Sequence, residues 1–340
     1  MSLKDVADRA GVSIATVSNV INGNYNKVSE KTIEHVRRII EEMNYNPSAV
    51  ARSLASHESR IIAVFIPNMM MEGAFGIDPY ASQLVALIEQ GVRREGCYMM
   101  LRCVNRCREI TSLTRSWNPD GIILLGADPD DVHEISRIVT EIPVVYTDTY
   151  ANDIPISNIR IDDYKGGYLS AEYLLRKGHR QIALVSPDWN TSSVISERFR
   201  GFCDALNEYG LEFSQEDFFM AETRVDDGFN AGNRIISSGR KYTAAAAMSD
   251  TIAMGLNASF QKHGFRVPDD ISLIGFDNIE ASAYIAPALT TVAQDLEKKA
   301  LLVEQQLFEM IRTKTITTVN EVLDVEVIER DSVRDLTVSQ

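Results

Sequence analysis

Cysteine is scarce in this chain: Cys97, Cys103, Cys107 and Cys203 are the only four in 340 residues, and none forms a Cys-x-x-Cys pair. That usage argues against a disulfide framework or a zinc site and suits a reducing cytoplasm, with the thiols read as incidental. Long apolar runs are missing too. None approaches the roughly 20 residues that span a bilayer, and the N-terminus opens on polar and charged residues, so neither membrane insertion nor secretion is expected. A nucleophile beside a base, a metal cluster and a phosphate-binding glycine loop are also lacking, which removes the usual footholds for an enzyme or for a cofactor. What is present is ordinary for a folded, water-soluble chain, 45% hydrophobic and 24% charged. At 340 residues it is too long for one core, and two to three structural units are expected.

The last shortage is of positive charge. A net charge of −14 suits a phosphate-binding surface poorly, because binding to a nucleic-acid backbone rests on Lys and Arg displacing counterions. The acidity is not evenly spread. Through Arg60 there are eight Lys and Arg against seven Asp and Glu, so the first 60 residues carry +1 and the remainder −15. A local basic face near the N-terminus therefore remains compatible with DNA, while the acidic remainder discourages nonspecific adhesion.

Three short helices with caps in register open the chain. Ser2 with Asp5 three residues on has capping-box spacing, and Leu3, Val6, Ala7 and Ala10 share one face until Gly11. Ser13 caps a second helix whose inner stripe is Val17, Val20 and Ile21, ended by Asn22 and Gly23. Only Gly11-Val12-Ser13 separates the two. So short a turn forces a steep crossing, the helix-turn-helix arrangement that presents its second helix to a major groove. Ser29 caps a third helix, where Ile33, Val36, Ile39, Ile40 and Met43 recur at helical spacing and close a miniature core. Pattern alone leaves a generic helical module as the competing reading.

These residues resemble the head of the lactose/galactose repressor (LacI/GalR) family nearly position for position. The resemblance runs through Leu3-Lys4-Asp5-Val6-Ala7, Ala10-Gly11-Val12-Ser13, Ala15-Thr16-Val17-Ser18 and Val20-Ile21-Asn22-Gly23, then Val28 to Thr32 and Tyr45 to Leu54. It implies an all-α helix-turn-helix head over residues 1–46 and a hinge helix with linker over 47–60. Base reading is expected from the outward face of the second helix, at Ile14, Ala15 and Asn19, which packing does not use and to which the family also points. Ile14 and Ala15 suit apolar contact with thymine methyl groups, and Asn19 suits a pair of hydrogen bonds to adenine. The family more often has Arg or His at Asn19, so an altered operator preference is expected. Ser13, Thr16, Ser18 and Asn22 are expected at phosphates, where they fix register without reading bases.

Asn46-Pro47 is a good helix start, but the two turns that Ser48 to Ser56 allow are too short to stand alone. The resemblance supplies partners: two hinge helices of a dimer packed in the central minor groove, with Leu54 as the wedge between base steps and Ala51 and Ala55 as small contact residues. An ordinary linker is the bland alternative.

From Ile61 apolar strands alternate with amphipathic helices, which argues for parallel sheets covered on both faces. Strands are expected at Ile61 to Ile66, Tyr98 to Val104, Gly121 to Leu125 and Val144 to Tyr146, then at Gln181 to Ser186, Ala244 to Met248 and Ser272 to Gly275. Helices are expected around Gly166 to Arg176, Glu197 to Tyr209, Phe229 to Ser237 and Ile252 to His263. The tail adds a helix near Leu296 to Met310 and a strand near Val322 to Ile328. This is an α/β body over 61–340 with two similar parallel-sheet lobes. Asn118 to Ile123, Gly166-Gly167-Tyr168, Gly178-His179-Arg180, Arg198 with Gly201-Phe202, Val267 to Ser272, Gly275-Phe276-Asp277, Pro287 to Thr291 and Ile328-Glu329-Arg330 resemble the same family and, more distantly, periplasmic sugar-binding proteins.

In open parallel sheets ligands bind beyond the carboxyl ends of the strands, so residues just after strands are the candidates. These are Asp148, Trp189, Ser249, Asp250 and Asp277, with Arg198 opening a helix and Tyr80 implied by the resemblance. Carboxylates, a forked donor and an aromatic face suit a polyhydroxylated ligand. For Asp250 and Asp277 the competing reading is a helix cap or turn. Pro67 to Tyr80, with Met69-Met70-Met71, is longer than the family's loop, and Asn105 to Trp117 looks shortened by part of a helix. The resemblance implies a homodimer on a near-palindromic double-stranded operator, controlled by a small molecule, a sugar or sugar derivative first and a purine or nucleoside as the alternative. A solute-binding protein without DNA function is the rival class. Inducer and corepressor are both compatible with such coupling.

Overall fold

The computed structural model describes residues 2–21, 23–45, 58–67, 78–104, 107–190 and 193–338. The chain divides into two compact units, Met1–Arg60 and Ile61–Gln340.

In the first unit each helix boundary has a local cause. Helix Leu3–Ala10 begins at a reciprocal capping box between Ser2 and Asp5 and ends at Gly11, whose φ of 62° is the left-handed conformation glycine adopts without a Cβ penalty. Helix Ile14–Ile21 begins where the Ser13 hydroxyl accepts the Thr16 amide at 3.1 Å, and helix Glu30–Glu42 where Ser29 accepts the Thr32 amide. Val6, Ala7, Ala10, Val17, Val20, Val36 and Ile39 form the buried core, and Leu3, Ile21, Ile33, Ile40 and Met43 pack against it. His35 Nε2 lies 3.2 Å from the Ala10 carbonyl and ties the third helix to the first.

The second unit holds two six-stranded sheets with the same winding. Strands β1 (Ile61–Pro67), β2 (Tyr98–Val104), β3 (Gly121–Leu125), β4 (Val144–Thr147), β5 (Ser157–Ile161) and β11 (Asn320–Leu323) lie in the order β2-β1-β3-β4-β5-β11, all parallel. The second sheet repeats it as β7-β6-β8-β9-β10-β12, from β6 (Ile182–Ser186), β7 (Phe218–Met220), β8 (Ala244–Ala247), β9 (Ser272–Asp277), β10 (Thr290–Ala293) and β12 (Glu326–Ile328), with β12 alone antiparallel to its neighbour. In each sheet the order reverses at the first strand, which makes a switch-point crevice between β1 and β3 and another between β6 and β8.

The tail departs from expectation. The single strand anticipated near Val322 to Ile328 is two strands, β11 in the first sheet and β12 in the second, so the chain crosses between lobes at Asp324-Val325. Strands β5, β7 and β10 lie outside the expected set: polar residues interrupt β5 and β10, and β7 is apolar but only three residues long. In the Asn105 to Trp117 segment, residues 105 and 106 lie outside the described residues and Cys107–Trp117 is an 11-residue helix. Of the long Pro67 to Tyr80 segment, residues 68–77 lie outside the described residues, and Asp78 caps the next helix, Pro79–Arg94, by accepting the Ala81 amide.

Helix Leu296–Thr313 returns to the first lobe, where Ala300, Val303, Leu307, Phe308 and Met310 pack on Ile62, Val64 and Leu84. In the second lobe, helices Asp163–Arg176 and Ser193–Glu208 meet backbone to backbone. A Cβ on Gly167 would stand 1.8 Å from the Arg198 carbonyl, and one on Gly201 1.9 Å from that of Tyr164. That close crossing fixes where Arg198 emerges. No helix among the described residues is long and apolar enough to cross a membrane.

Candidate functional site

On the head, Val17 and Val20 take the inner face of helix Ile14–Ile21. Ser13, Ile14 and Ala15 are exposed, and Thr16, Ser18 and Asn19 are half-buried. Ile14 leaves 48% of its surface in water and has no place in the head's core, so its side chain is open for a partner. Ser13 Oγ lies 2.9 Å from Thr16 Oγ1. Whichever hydroxyl donates, the other keeps a proton for an outside acceptor such as a phosphate oxygen. Asn22, Ala51, Leu54 and Ala55 lie outside the described residues. One pair escaped the sequence reading: the Arg37 guanidinium donates to the Tyr25 hydroxyl at 2.7 Å and sits 5.2 Å from that ring's centre.

In the body, a cavity of about 380 Å³ opens at the switch points of the two sheets, bounded by Ile66 and Pro67 at the end of β1, Leu125 to Asp128 at and beyond the end of β3, Pro187 after β6 and Ser193 to Ile195. Three of the expected residues, Tyr80, Asp148 and Arg198, line it together with Asp78, Glu222 and Thr223.

Arg198 anchors the second-lobe side. It is 7% exposed, donates from Nε to Asp163 Oδ1 at 2.8 Å and from Nη1 to the Met248 carbonyl at 2.9 Å, and stands 3.9 Å from Asp277 Oδ1. Its guanidinium lies 3.7 Å from the centre of the Phe276 ring. Burial would lower its pKa, but Asp163 and Asp277 outweigh that and raise it, so the group stays charged. Burial pushes the Asp277 carboxyl well up against the pull of Arg198, and raises Asp163 in the same way. Asp277 sits behind the wall, its Oδ1 accepting from Gln294 Nε2 at 2.7 Å.

Asp148 anchors the first-lobe side. Its Oδ2 accepts the Tyr80 hydroxyl at 2.8 Å and its Oδ1 the Lys299 ammonium at 2.7 Å. Burial, then the Asp148 charge, raises the Tyr80 hydroxyl well above the usual phenol value, so it stays a donor. Asp148 and Asp277 have φ of 53° and 109°, backbone that favours glycine. Asp148 lines the cavity and Asp277 lies behind it, so strained backbone occurs at a strand end in each lobe beside the cleft.

Three expected residues are placed elsewhere. Trp189 stacks on Phe199 at 4.1 Å and meets Phe218 edge-on at 4.4 Å, so its ring belongs to a second-lobe aromatic cluster rather than to the cavity wall. Ser249 is the cap of helix Asp250–Lys262, its hydroxyl accepting the Ile252 amide at 3.2 Å. Asp250 is fully buried and accepts the Ile279 amide at 2.9 Å and the Thr291 hydroxyl at 2.6 Å, which makes it a brace between β9 and β10. Both lie inside the lobe with their oxygens occupied, and at Asp250 the role is neither the expected ligand contact nor the competing cap or turn. Sequence reading missed Asp163, Gln294 and Lys299. Lys299 did leave a signal: it falls three residues after Leu296 and four before Val303, on the apolar stripe of its helix.

Comparison with known proteins agrees with this division of labour. Residues 2–48 match the family model for bacterial regulatory proteins of the lacI family, and residues 171–333 match that of the periplasmic binding protein-like domain. The chain is 31% identical to the HTH-type transcriptional repressor PurR of Pasteurella multocida over 92% of its own length and 93% of that protein's. It is 31% identical to PurR of Vibrio cholerae serotype O1 over 99% of both. The crystal structure of the Lac repressor dimer bound to operator and the anti-inducer ONPF superposes with a TM-score of 0.84 at 27% identity, covering 98% of this chain and 99% of that one. A LacI family transcriptional regulator from Enterococcus faecium with bound ribose superposes with a TM-score of 0.70 at 26% identity, covering 81% of this chain and 99% of that one. With a helix-turn-helix head, two periplasmic-binding-protein-type lobes and repressor relatives matched from end to end, this chain belongs to the lacI family of bacterial regulatory proteins and is a DNA-binding transcriptional repressor, not an enzyme.

Proposed function

We propose that the protein acts in the cytoplasm as a homodimer that reads a near-palindromic operator, and that a small molecule held between the lobes of each body controls its affinity for DNA. Residues 1–46 serve as the reading head, 47–60 as the hinge and 61–340 as the sensing and dimerisation body. Ile14, Ala15 and Asn19 read bases; Ser13, Thr16, Ser18 and Asn22 hold phosphates; Ala51, Leu54 and Ala55 form the hinge contact in the minor groove. Support for the dimer comes from the structural relative named above, a Lac repressor that binds its operator as a dimer.

The observation that carries the effector reading is the cavity at two facing switch points, walled by Tyr80, Asp148 and Arg198 with Asp277 behind. Fixed acceptors on one side and a forked donor on the other suit a ligand rich in hydroxyls, which makes a sugar or sugar derivative the first choice. The ribose-bound relative is consistent with this. A purine or nucleoside is the second reading, favoured by the relatives named PurR. Selection of bound sequences from random DNA, followed by a screen of sugars and purines for shifts in that binding, tests the proposal. A two-fold symmetric consensus with a ligand-dependent shift is expected. A monomer with no sequence preference would sink it.

A further inference from the structure

We propose that Lys299 is a positioning residue of the effector cleft: from behind the wall it neutralises Asp148 and holds Tyr80, so that the cleft selects uncharged, hydroxyl-rich ligands over phosphorylated or carboxylated ones. The inference rests on the small-molecule reading above and sharpens its ligand class.

Lys299 is wholly buried. Its ammonium meets Asp148 Oδ1 at 2.7 Å, the Tyr80 hydroxyl oxygen at 2.9 Å and Gln294 Oε1 at 3.1 Å, so its three protons have three acceptors. A lysine is expensive to bury, and a complete set of partners is what makes it tolerable. Tyr80 in turn donates to the other oxygen of Asp148, at 2.8 Å, which closes a triangle of lysine, phenol and carboxylate. The cavity touches only the phenol and the carboxylate. Lys299 therefore acts on a ligand through them.

Charge then decides what the cleft accepts. Among the described residues that line or back the cavity, the cations are Arg198 and Lys299. Each is matched at 2.7 to 2.8 Å by a carboxylate of its own, Asp163 and Asp148. The wall further carries Asp78, Asp128 and Glu222. A phosphate or carboxylate entering here meets no unmatched cation and several carboxylates, and it would shed its hydration without replacement. Hydroxyls, in contrast, find acceptors held in place and the forked donor of Arg198.

The test uses the full-length protein and three panels of probes: glucose, galactose, ribose and adenosine; their amino-substituted forms; and their phosphate esters. Thermal-shift screening is followed by calorimetric titration of whatever binds. Binding is expected from the uncharged panel, with phosphate esters at least about tenfold weaker than their parents. Lys299→Met should weaken uncharged probes and raise the ratio of amino-substituted to uncharged affinity by about tenfold, because it leaves Asp148 without its cation. Lys299→Met/Asp148→Asn removes both charges and should bind no worse than Asp148→Asn alone, the non-additivity expected if the lysine works through that carboxylate. Should the single variant not fold, the comparison of double variant with Asp148→Asn decides alone. An unchanged ratio in Lys299→Met, a double variant clearly worse than Asp148→Asn, or phosphate esters that match their parents would each overturn the proposal. Binding by none of the panels would overturn the small-molecule reading itself, a distinct outcome.

Discussion

On the function proposed above, recognition and stability fall to different residues in the head and to the same residues in the cleft. On helix Ile14–Ile21, Val17 and Val20 build the core while Ile14 and Ala15 remain in water, so the face proposed to read DNA can vary without cost to the fold. In the cleft, Arg198 and Asp163 are buried and Lys299 is sealed behind Asp148, so each charge that would meet a ligand also has to be balanced for the lobe to fold. A surface reader is assembled from what packing leaves over; a sensor is assembled from packing itself. The cleft must then be the harder site to alter.

Arg198→Ala should sharpen the contrast most. Removing one partner of a buried ion pair leaves Asp163 uncompensated, with Asp277 close by, and such a change costs about 3–5 kcal/mol. Denaturant unfolding should show that loss together with the disappearance of any ligand response, while operator selectivity stays that of the parent. A variant with parental stability and no response would separate the two roles in the body and break the comparison.

Protonation offers a second probe. Burial raises the Asp250 carboxyl to about 7, against the opposing hydrogen bonds from Thr291 and the Ile279 amide. In the unfolded chain the group releases its proton near pH 4. Across that window the folded state binds the proton and the unfolded state does not, so stability falls as pH rises from about 4 to about 7, by on the order of a few kcal/mol. Asp163 and Asp277 are shifted in the same direction by the same cause, so the difference from wild type is the informative quantity. Asp250→Asn should flatten the slope in unfolding curves taken between pH 5 and pH 8; an unaltered slope would assign it elsewhere. The head, whose carboxylates are exposed, should show no comparable loss.

The same contrast explains what could be read in the sequence. Caps, stripes and the short turn of the head act within four residues of one another, and every apolar position assigned to the head's core is in it. Apolar strands such as Gly121–Leu125 were equally visible. Strand β5 was not, because Ser157, Asn158 and Arg160 interrupt its apolar pattern, and residues 322–328 read as one strand because nothing local marks the lobe crossing. Asp148 stands out by its place after a strand and Arg198 by its match to the family, although Arg198 does not open its helix as expected but lies in the second turn of Ser193–Glu208. Lys299 was missed, since its partners Asp148 and Tyr80 lie 151 and 219 positions away. Trp189, Ser249 and Asp250 follow strands just as Asp148 does, and only packing reveals that an aromatic cluster, a helix cap and a brace already use them.

Asn19→Ala is the mildest change and tests the other half of the comparison. The side chain is half-buried on a helix whose packing falls to Val17 and Val20, and alanine is at least as good a helix former as asparagine, so unfolding should move by no more than about 0.5 kcal/mol. Binding to DNA should change in kind more than in strength. If the amide makes a pair of hydrogen bonds to adenine, its removal should erase discrimination at one base pair of each half-site, worth about 1–3 kcal/mol, and leave preferences at the other positions intact. Competitive binding to an operator library substituted one position at a time measures this directly. A preference profile that is unchanged at every position would remove Asn19 from base reading, and a large fall in stability would mean that the head, like the cleft, builds its recognition from its core.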